Sequence, residues 1–371
     1  MELSPNLYFQ AVTWVSLCIP GFATVAISVL IIISKKWHGK HSFDSHTGVQ
    51  KVHVAPTPRI GGIAIISGLL AAWFLAPDSV SKQLGLMLIS GLPAFAAGLT
   101  EDFTKRVTIR NRLLATMVSA LLAWWLTGYN LNDIDISPID YFLAYVPLSV
   151  AFTVVAVGGV VNSINIIDGF NGLAAGTLMI CFSALGFIAW QVGDAELARL
   201  CVVFIAVVAG FLVVNFPFGK IFMGDGGAYL LGFMLAWVSV MLPFRNHEVS
   251  AWAPLLICAH PVLETVFSMM RRYNRSGQHP GQADSLHLHS LLYSRVARNL
   301  LPNAKPQFKN SLTSLFVWPI SLLCSLAATV WFSNTVILMV GFVVCAFSYH
   351  LVYLRLTQFV WCLRPATINR D

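Results

Sequence analysis

LAYVPLSVAFTVVAVGGVVNSINIIDGFNGLA, residues 143–174, carries no charged side chain before Asp168. Its first part, 143–161, is apolar over nearly the roughly 20 residues a helix needs to cross the hydrocarbon of a bilayer. A helix on the surface of a soluble domain would show an apolar stripe and a polar face instead. The character of the chain then changes abruptly. Asn162, Asn165, Asp168 and Asn171 recur every three positions, which keeps neighbours on one side of a helix and aligns them fully only in a 3₁₀ turn. Gly169 and Gly172 let backbone approach a ligand closely. A polar stripe directly after a membrane-length helix is costly to bury, and this one holds no Lys or Arg, unlike an ordinary inside loop. The competing reading is a polar seam between helices.

Ten further apolar stretches surround it, near 11–33, 60–76, 83–100, 113–127, 172–190, 198–215, 227–242, 252–268, 312–332 and 335–354. Those at 83–100 and 113–127 are the weakest, being short or interrupted by Gly and Pro. The chain is 57% hydrophobic and 11% charged, whereas a soluble domain carries about 25% charged residues. These features predict an all-α polytopic integral membrane protein with about eleven transmembrane helices, forming a single membrane domain over 1–371. The longest loop, 269–311, is too short for a core of its own. There is no internal repeat, and no pair of similar halves of the kind many transporters show. The seven cysteines are scattered without metal-ligand spacing and read as small core residues. The first Lys is Lys35, after the first apolar stretch, so the basic leader of a cleavable signal peptide is missing.

Charge placement orients the chain. The loops after odd-numbered stretches, with the C-terminal tail, hold all of the 23 Lys and Arg residues except Lys82, Arg199 and Arg245. Basic loops stay cytoplasmic, which predicts an N-terminus outside and a C-terminus inside. The acids Asp133, Asp135, Asp140, Asp194 and Glu196 fall on the outer side, without basic partners expected nearby. The net charge of +7 reads as topology and contact with anionic membrane lipid. With no basic domain beyond these loops, nucleic acid is excluded as a partner.

The cytoplasmic loops, near 34–59, 101–112, 162–171, 215–226 and 269–311, hold the groups that could do chemistry. The first ends in HVAPTPRIGG at 53–62. Its prolines keep the chain extended up to Arg59, and Gly61 and Gly62 turn it into a helix, so Arg59 is presented beside free backbone N–H groups that suit an anion. Arg59 could equally be a topology anchor. In GLTEDFTK, 98–105, adjacent carboxylates at a membrane border need a partner or a metal. Glu101 and Lys105 are four apart and could pair, which leaves Asp102 for another partner. In NFPFGKIFMGDGG, 215–227, Asp225 sits between glycines at the mouth of a helix. A lone carboxylate there suits Mg²⁺, which takes one or two protein carboxylates and completes its shell with phosphate oxygens and water. The alternative is a helix N-cap. The last loop holds Arg271, Arg272 and Arg275, then DSLHLHS at 284–290. His287 and His289 would align on an extended stretch. Beside arginines they suit a diphosphate better than zinc, since no Cys or HExxH accompanies them.

Five such clusters on one membrane face are what phosphoryl transfer to a membrane-held acceptor requires. Through PTPRIGG at 56–62, EDFTK at 101–105, NSINIIDGFNGLA at 162–174, FMGDGG at 222–227 and HLH at 287–289, in that order, the chain resembles a known bacterial superfamily. These are the polyprenyl-phosphate N-acetylhexosamine-1-phosphate transferases (glycosyltransferase family 4), which start peptidoglycan, O-antigen and teichoic-acid lipid carriers. The resemblance implies that undecaprenyl phosphate attacks the β-phosphate of a UDP-N-acetylhexosamine. UMP would leave, and the sugar would stay in the inner membrane as a lipid diphosphate made at the cytoplasmic face. It also implies Mg²⁺ as cofactor, with Mn²⁺ as an alternative, and is compatible with a homodimer.

By position, Asp225 matches the family's Mg²⁺ ligand. Asp102 matches the second carboxylate of an acidic pair that positions or deprotonates the lipid phosphate. Asp168 matches the first Asp of a DGxDG segment that binds nucleotide or metal, and His287 and His289 match a histidine motif near the diphosphate. Arg59, Glu101, Lys105, Asn162, Asn165 and Asn171 are the expected substrate-binding residues. Three positions depart from the pattern. Glu101 stands where Asp is frequent, Asn171 replaces the second Asp of DGxDG, and Ser290 follows the histidines where a third is frequent. The departures favour a surface-polysaccharide or O-antigen branch over the peptidoglycan-precursor branch, and remove one charge available to Mg²⁺. The second reading is a polytopic transporter or flippase, which the scarcity of ionisable groups at mid-membrane depth opposes. A third is a silent subunit of a glycan-assembly complex, motivated by Glu101 and Asn171.

Overall fold

A computed structural model describes residues 5–43, 56–273 and 286–361. Lys51, His53, Arg275 and Asp284, in loops expected to be cytoplasmic, lie outside the described residues. The helices in chain order are α1 (Pro5–Ile33), α2 (Lys35–Ser42), α3 (Gly61–Leu75), α4 (Asp78–Thr104), α5 (Ile109–Thr127), α6 (Ser137–Leu143), α7 (Val146–Ile167) and α8 (Leu173–Gln191). Then follow α9 (Ala195–Asn215), α10 (Gly224–Arg245), α11 (Trp252–Ile257), α12 (Ala259–Tyr273), α13 (Leu288–Leu292), a π turn (Tyr293–Ala297), α14 (Arg298–Leu300), α15 (Pro306–Val330) and α16 (Thr335–Thr357). Every apolar stretch of the sequence is helical. Among the described residues there is no strand, and α4, α7, α8, α9, α10, α15 and α16 are long and apolar enough to cross a membrane. The protein is an all-α polytopic membrane protein.

The stretch that opened the reading forms α7, the turn after it and the start of α8. Pro147 sits in the first turn of α7, where its missing N–H costs nothing. The helix stops at Ile167, and Asp168 N–H reaches back only three residues to the Asn165 carbonyl (3.3 Å). The 3₁₀-type spacing is thus realised at the helix end, where it turns the polar stripe out of the membrane-length segment. Gly172, at φ +76°, then starts α8.

Helix α10 lies at the centre, packed by α3, α4, α5, α7 and α8. It is apolar on all sides after its first turn, as a helix surrounded by others must be, and Trp237 is fully buried in it. Its N-terminus is approached closely by two neighbours. A Cβ on Gly62 of α3 would lie 2.5 Å from Gly227 N, and one on Gly98 of α4 would lie 2.6 Å from the Asp225 carbonyl. Glycine at both positions lets three helix ends meet around Asp225.

Two sequence expectations change. The stretch at 252–268 is not one helix: it breaks between α11 and α12 at Cys258. Pro261 has no N–H to offer the Ile257 carbonyl, and the buried Cys181 thiol donates to that carbonyl instead (3.4 Å). By contrast α4 runs unbroken through Pro93. The second change concerns the outer acids. Arg245, at the end of α10, pairs with Asp194 (2.8 Å) and Glu196 (3.2 Å), so these two acids do have a basic partner. Asp135 accepts instead from the Ser250 and Thr335 hydroxyls, both at 2.6 Å.

Candidate active site

The loops before α3, after α4, after α7 and before α10 meet at one end of the bundle. Asp225, in the first turn of α10, is the centre. Its two carboxylate oxygens are taken one each by the guanidinium groups of Arg59 and Arg112. Asn165 adds an amide donor to one of them (3.2 Å), and Tyr229, one turn further along α10, donates to the Asn165 side-chain oxygen (3.4 Å).

Asp102, at the end of α4 and 1% exposed, faces the same turn. Its oxygens accept the backbone N–H groups of Asp225 (2.8 Å) and Gly226 (2.9 Å), and Arg59 Nε lies 3.4 Å away. The first N–H groups of a helix have no partner within it, and a carboxylate there also meets the positive end of the helix dipole. The N-cap role weighed for Asp225 therefore belongs to Asp102, reaching across from another helix. This leaves the Asp225 carboxylate facing the loops.

Asp168 closes the group from the end of α7. It keeps some exposure at its surface but is surrounded by protein, and this burial pushes its carboxyl well above the usual range. Arg59 opposes the shift, while Asp225 and Asp102 add to it. The other expected residues are placed less centrally. Asn162 donates to the Gly158 carbonyl (2.7 Å) and lies 3.4 Å from the Thr116 hydroxyl. Glu101 accepts Val107 N–H (2.8 Å), and Lys105, in the left-handed region at φ 55°, donates to the Phe43 carbonyl (3.3 Å). The anticipated Glu101–Lys105 pair does not form, because α4 ends between them and Lys105 leaves the helical face. Asn171 is 1% exposed and ties the turn to α15. Its amide donates to the Pro217 carbonyl (3.2 Å), its N–H goes to Asn310 (2.7 Å), and its carbonyl accepts from Ser314 (2.7 Å).

His287 and His289 form a second group. His287 is the extended residue before α13 and His289 lies in the first turn, so rings two residues apart stack in parallel, 5.2 Å between centroids. Both rings turn Nδ1 toward the buried carboxylate of Glu264 on α12, at 2.9 Å for His287 and 3.9 Å for His289. Burial pushes the His289 imidazole down to about 3, with Glu264 opposing and His287 and His260 adding. On the other side of the ring, His289 Nε2 lies 3.6 Å from where a Cβ on Gly169 would be, next to Asp168. Phe170 packs edge-on against the same ring (5.4 Å). The turn 168–170 therefore joins the histidines to the carboxylates.

The donor set suits a hard divalent cation. Asp102, Asp168 and Asp225 offer carboxylate oxygens, and Asn165 an amide oxygen. Among the described residues no three His, Cys, Asp or Glu side chains form a closed metal cage, and Mg²⁺ does not use one: it keeps water and takes substrate phosphate.

Known proteins resemble this chain over most of its length. Residues 84–243 match glycosyl transferase family 4. Over 278 residues the chain is 30% identical to the undecaprenyl-phosphate alpha-N-acetylglucosaminyl 1-phosphate transferase of Salmonella typhi, covering 71% of this chain and 73% of that one. It is 32% identical over 278 residues to the decaprenyl-phosphate N-acetylglucosaminephosphotransferase of Mycobacterium leprae, covering 65% and 67%. The Yersinia pestis protein with the same name as the Salmonella one is 28% identical over 248 residues, covering 66% and 67%. The chain belongs to the polyprenyl-phosphate N-acetylhexosamine-1-phosphate transferase family.

Two residues of this family member's site were not singled out from sequence. Arg112 looked like any topology-setting arginine, and nothing local marks it. Glu264 did carry a signal: an acid inside an apolar stretch is expensive and so points to a partner. Its partners, however, lie across a loop.

Proposed function

We propose that this protein transfers N-acetylglucosamine 1-phosphate, or a closely related N-acetylhexosamine 1-phosphate, from a UDP-sugar to undecaprenyl phosphate. It would do so at the cytoplasmic face of a bacterial inner membrane, with its N-terminus outside and its C-terminus inside, and so start a cell-surface polysaccharide. The observation that carries this reading is the meeting of Asp102, Asp168 and Asp225 with Arg59 and Arg112 at one end of the bundle. The three departures from the family pattern support an O-antigen-like branch.

In this reaction an oxygen of the lipid phosphate bonds to the β-phosphorus of the donor. The bond from that phosphorus to the bridging oxygen breaks, and UMP leaves with the oxygen and its electron pair. The sugar C1–O bond is untouched. A phosphate monoester, with a second pKa of about 6, is mostly dianionic at neutral pH, so the acceptor needs orienting more than deprotonating. That fits Asp102, whose oxygens already fix the start of α10. Arg59 and Arg112 present planar forks matched to phosphate oxygens, and in exchanging Asp225 for a diphosphate they free its carboxylate. Asp225, with Asp168 beside it, would hold Mg²⁺, which supplies charge neutralisation on the diphosphate. Asn165 and Tyr229 keep the Asp225 carboxylate aimed.

The test is UMP release by purified protein in detergent, with undecaprenyl phosphate, Mg²⁺ and a panel of UDP-N-acetylhexosamines. Release should require both lipid and Mg²⁺ and collapse in Asp225→Ala. Folded protein that releases no UMP with any donor would sink the reading and favour a transporter or a silent subunit.

A further inference from the structure

Glu264 has no counterpart among the residues the transfer reaction calls for, yet it is fully buried where α12 meets α13 and α16. A buried carboxylate is costly unless its oxygens are used. One oxygen, Oε1, is shared by Leu288 N–H (3.0 Å) and His287 Nδ1 (2.9 Å). The other, Oε2, faces His289 Nδ1 at 3.9 Å. Leu288 N–H fixes the carboxylate to the backbone between the two histidines, so the acid cannot shift without moving both rings. Phe267 of α12 stacks on Tyr349 of α16 (4.8 Å) and holds the helix from behind.

We propose that Glu264 is a positioning residue that sets the tautomer and the aim of His287 and His289. An ionised carboxylate only accepts hydrogen bonds. His287 must therefore carry a proton on Nδ1. His289 Nδ1 faces the other oxygen at 3.9 Å, beyond a hydrogen bond, and we extend the same tautomer to it through that facing charge. Both rings then keep an unprotonated Nε2, and that of His289 points into the turn at Gly169 beside Asp168. The pattern follows the general one in which a carboxylate fixes which imidazole nitrogen is available. On the transferase reading, the free Nε2 atoms are poised to accept a hydrogen bond from water bound at the substrate diphosphate. The catalytic half of the inference rests on that reading; the tautomer does not.

The experiment uses the full chain in bilayers, labelled with ¹⁵N-histidine, with His287→Asn and His289→Asn to assign the signals. Wild type should show both histidines protonated on Nδ1, and Glu264→Ala should move them toward the Nε2–H form. Glu264→Gln keeps the shape and one acceptor oxygen, so it should fold where the Ala variant does not and show an intermediate shift. In UMP release, Glu264→Ala should lose about 10–100-fold in kcat with little change in KM for the UDP-sugar, and Glu264→Gln should recover part of it. Tautomers unchanged in the variants would overturn the proposal whatever the turnover. A tautomer shift with unaltered kcat would overturn its catalytic half. If wild type releases no UMP but the tautomers shift as expected, the transferase reading fails and the positioning role stands.

Discussion

The two ends of this helix bundle handle charge differently. At the end opposite the candidate site, outer by the charge pattern alone, Arg245 is shared by Asp194 and Glu196, Asn246 adds an amide to Asp194 (3.3 Å), and Asp135 collects two hydroxyls. Each of these charges has complementary partners from neighbouring elements. At the other end three carboxylates crowd together, and two arginines are spent on one of them. Arg112 Nε there is buried without a hydrogen-bond partner. Most buried polar groups in proteins are satisfied, and exceptions call for an explanation. The outer network fastens helices, whereas the proposed function gives the inner one charges that arrive with a ligand.

Substitutions can break this contrast. The largest effect is expected at Asp225. Asp225→Asn keeps the size and one acceptor but removes the charge that both arginines and a cation need, and turnover should fall by about 10³-fold or more. UMP release under saturating lipid measures it, and activity within a few-fold of wild type would refute the central role of this carboxylate. Arg112→Ala comes next, at roughly 10²-fold in kcat/KM. Arg112→Lys should restore only part, because an ammonium cannot make the planar two-pronged contact. Full rescue by Lys would reduce Arg112 to a bulk positive charge.

The same contrast explains what could be read from sequence. Residues 143–174 gave the helix, its end and the polar turn because all three are local: apolar length, three-residue spacing and glycine. Asp225 between glycines was legible for the same reason. Asp102 was legible as a carboxylate in need of a partner, but not as the cap of α10, because the N–H groups it serves lie on a helix remote in sequence. The outer ion pairs were missed since Arg245 and Asp194 belong to different loops, and charge counting sorts residues by loop without naming contacts. The break at Cys258 had its cue in Pro261, but a proline in an apolar run can kink, end or merely begin a helix, and α4 absorbs Pro93 without a break.

Stability, in place of turnover, should report on the fastening residues. Asn171→Asp replaces the amide donor to the Pro217 carbonyl with a buried acceptor, and should cost about 2 kcal/mol, read as a lower thermal midpoint in detergent. An unchanged midpoint would mean that the link from the turn to Pro217 carries little. At the outer end, Arg245→Ala removes the cation that pairs with Asp194 and Glu196 and should cost about 1–2 kcal/mol while leaving kcat near the wild-type value. Loss of turnover without loss of stability in Arg245→Ala would blur the division between the two ends.

The smallest effect is a pH dependence that the outer end does not share. His289 is held down to about 3 by burial, against Glu264 and with His287 and His260, while an unfolded histidine titrates at about 6.5. Folding therefore favours the neutral ring. That advantage is fully present above the unfolded value and is lost as pH falls from there toward 3, since the unfolded chain then binds a proton that the folded site resists. The thermal midpoint of wild type should drop between pH 7 and pH 5.5, and His289→Gln, which cannot titrate, should drop less. Arg245→Ala should keep the wild-type slope, because it leaves His289 and the groups around it in place. A slope that survives in His289→Gln would assign the acid sensitivity elsewhere and leave His289 as a packing residue beside Phe170.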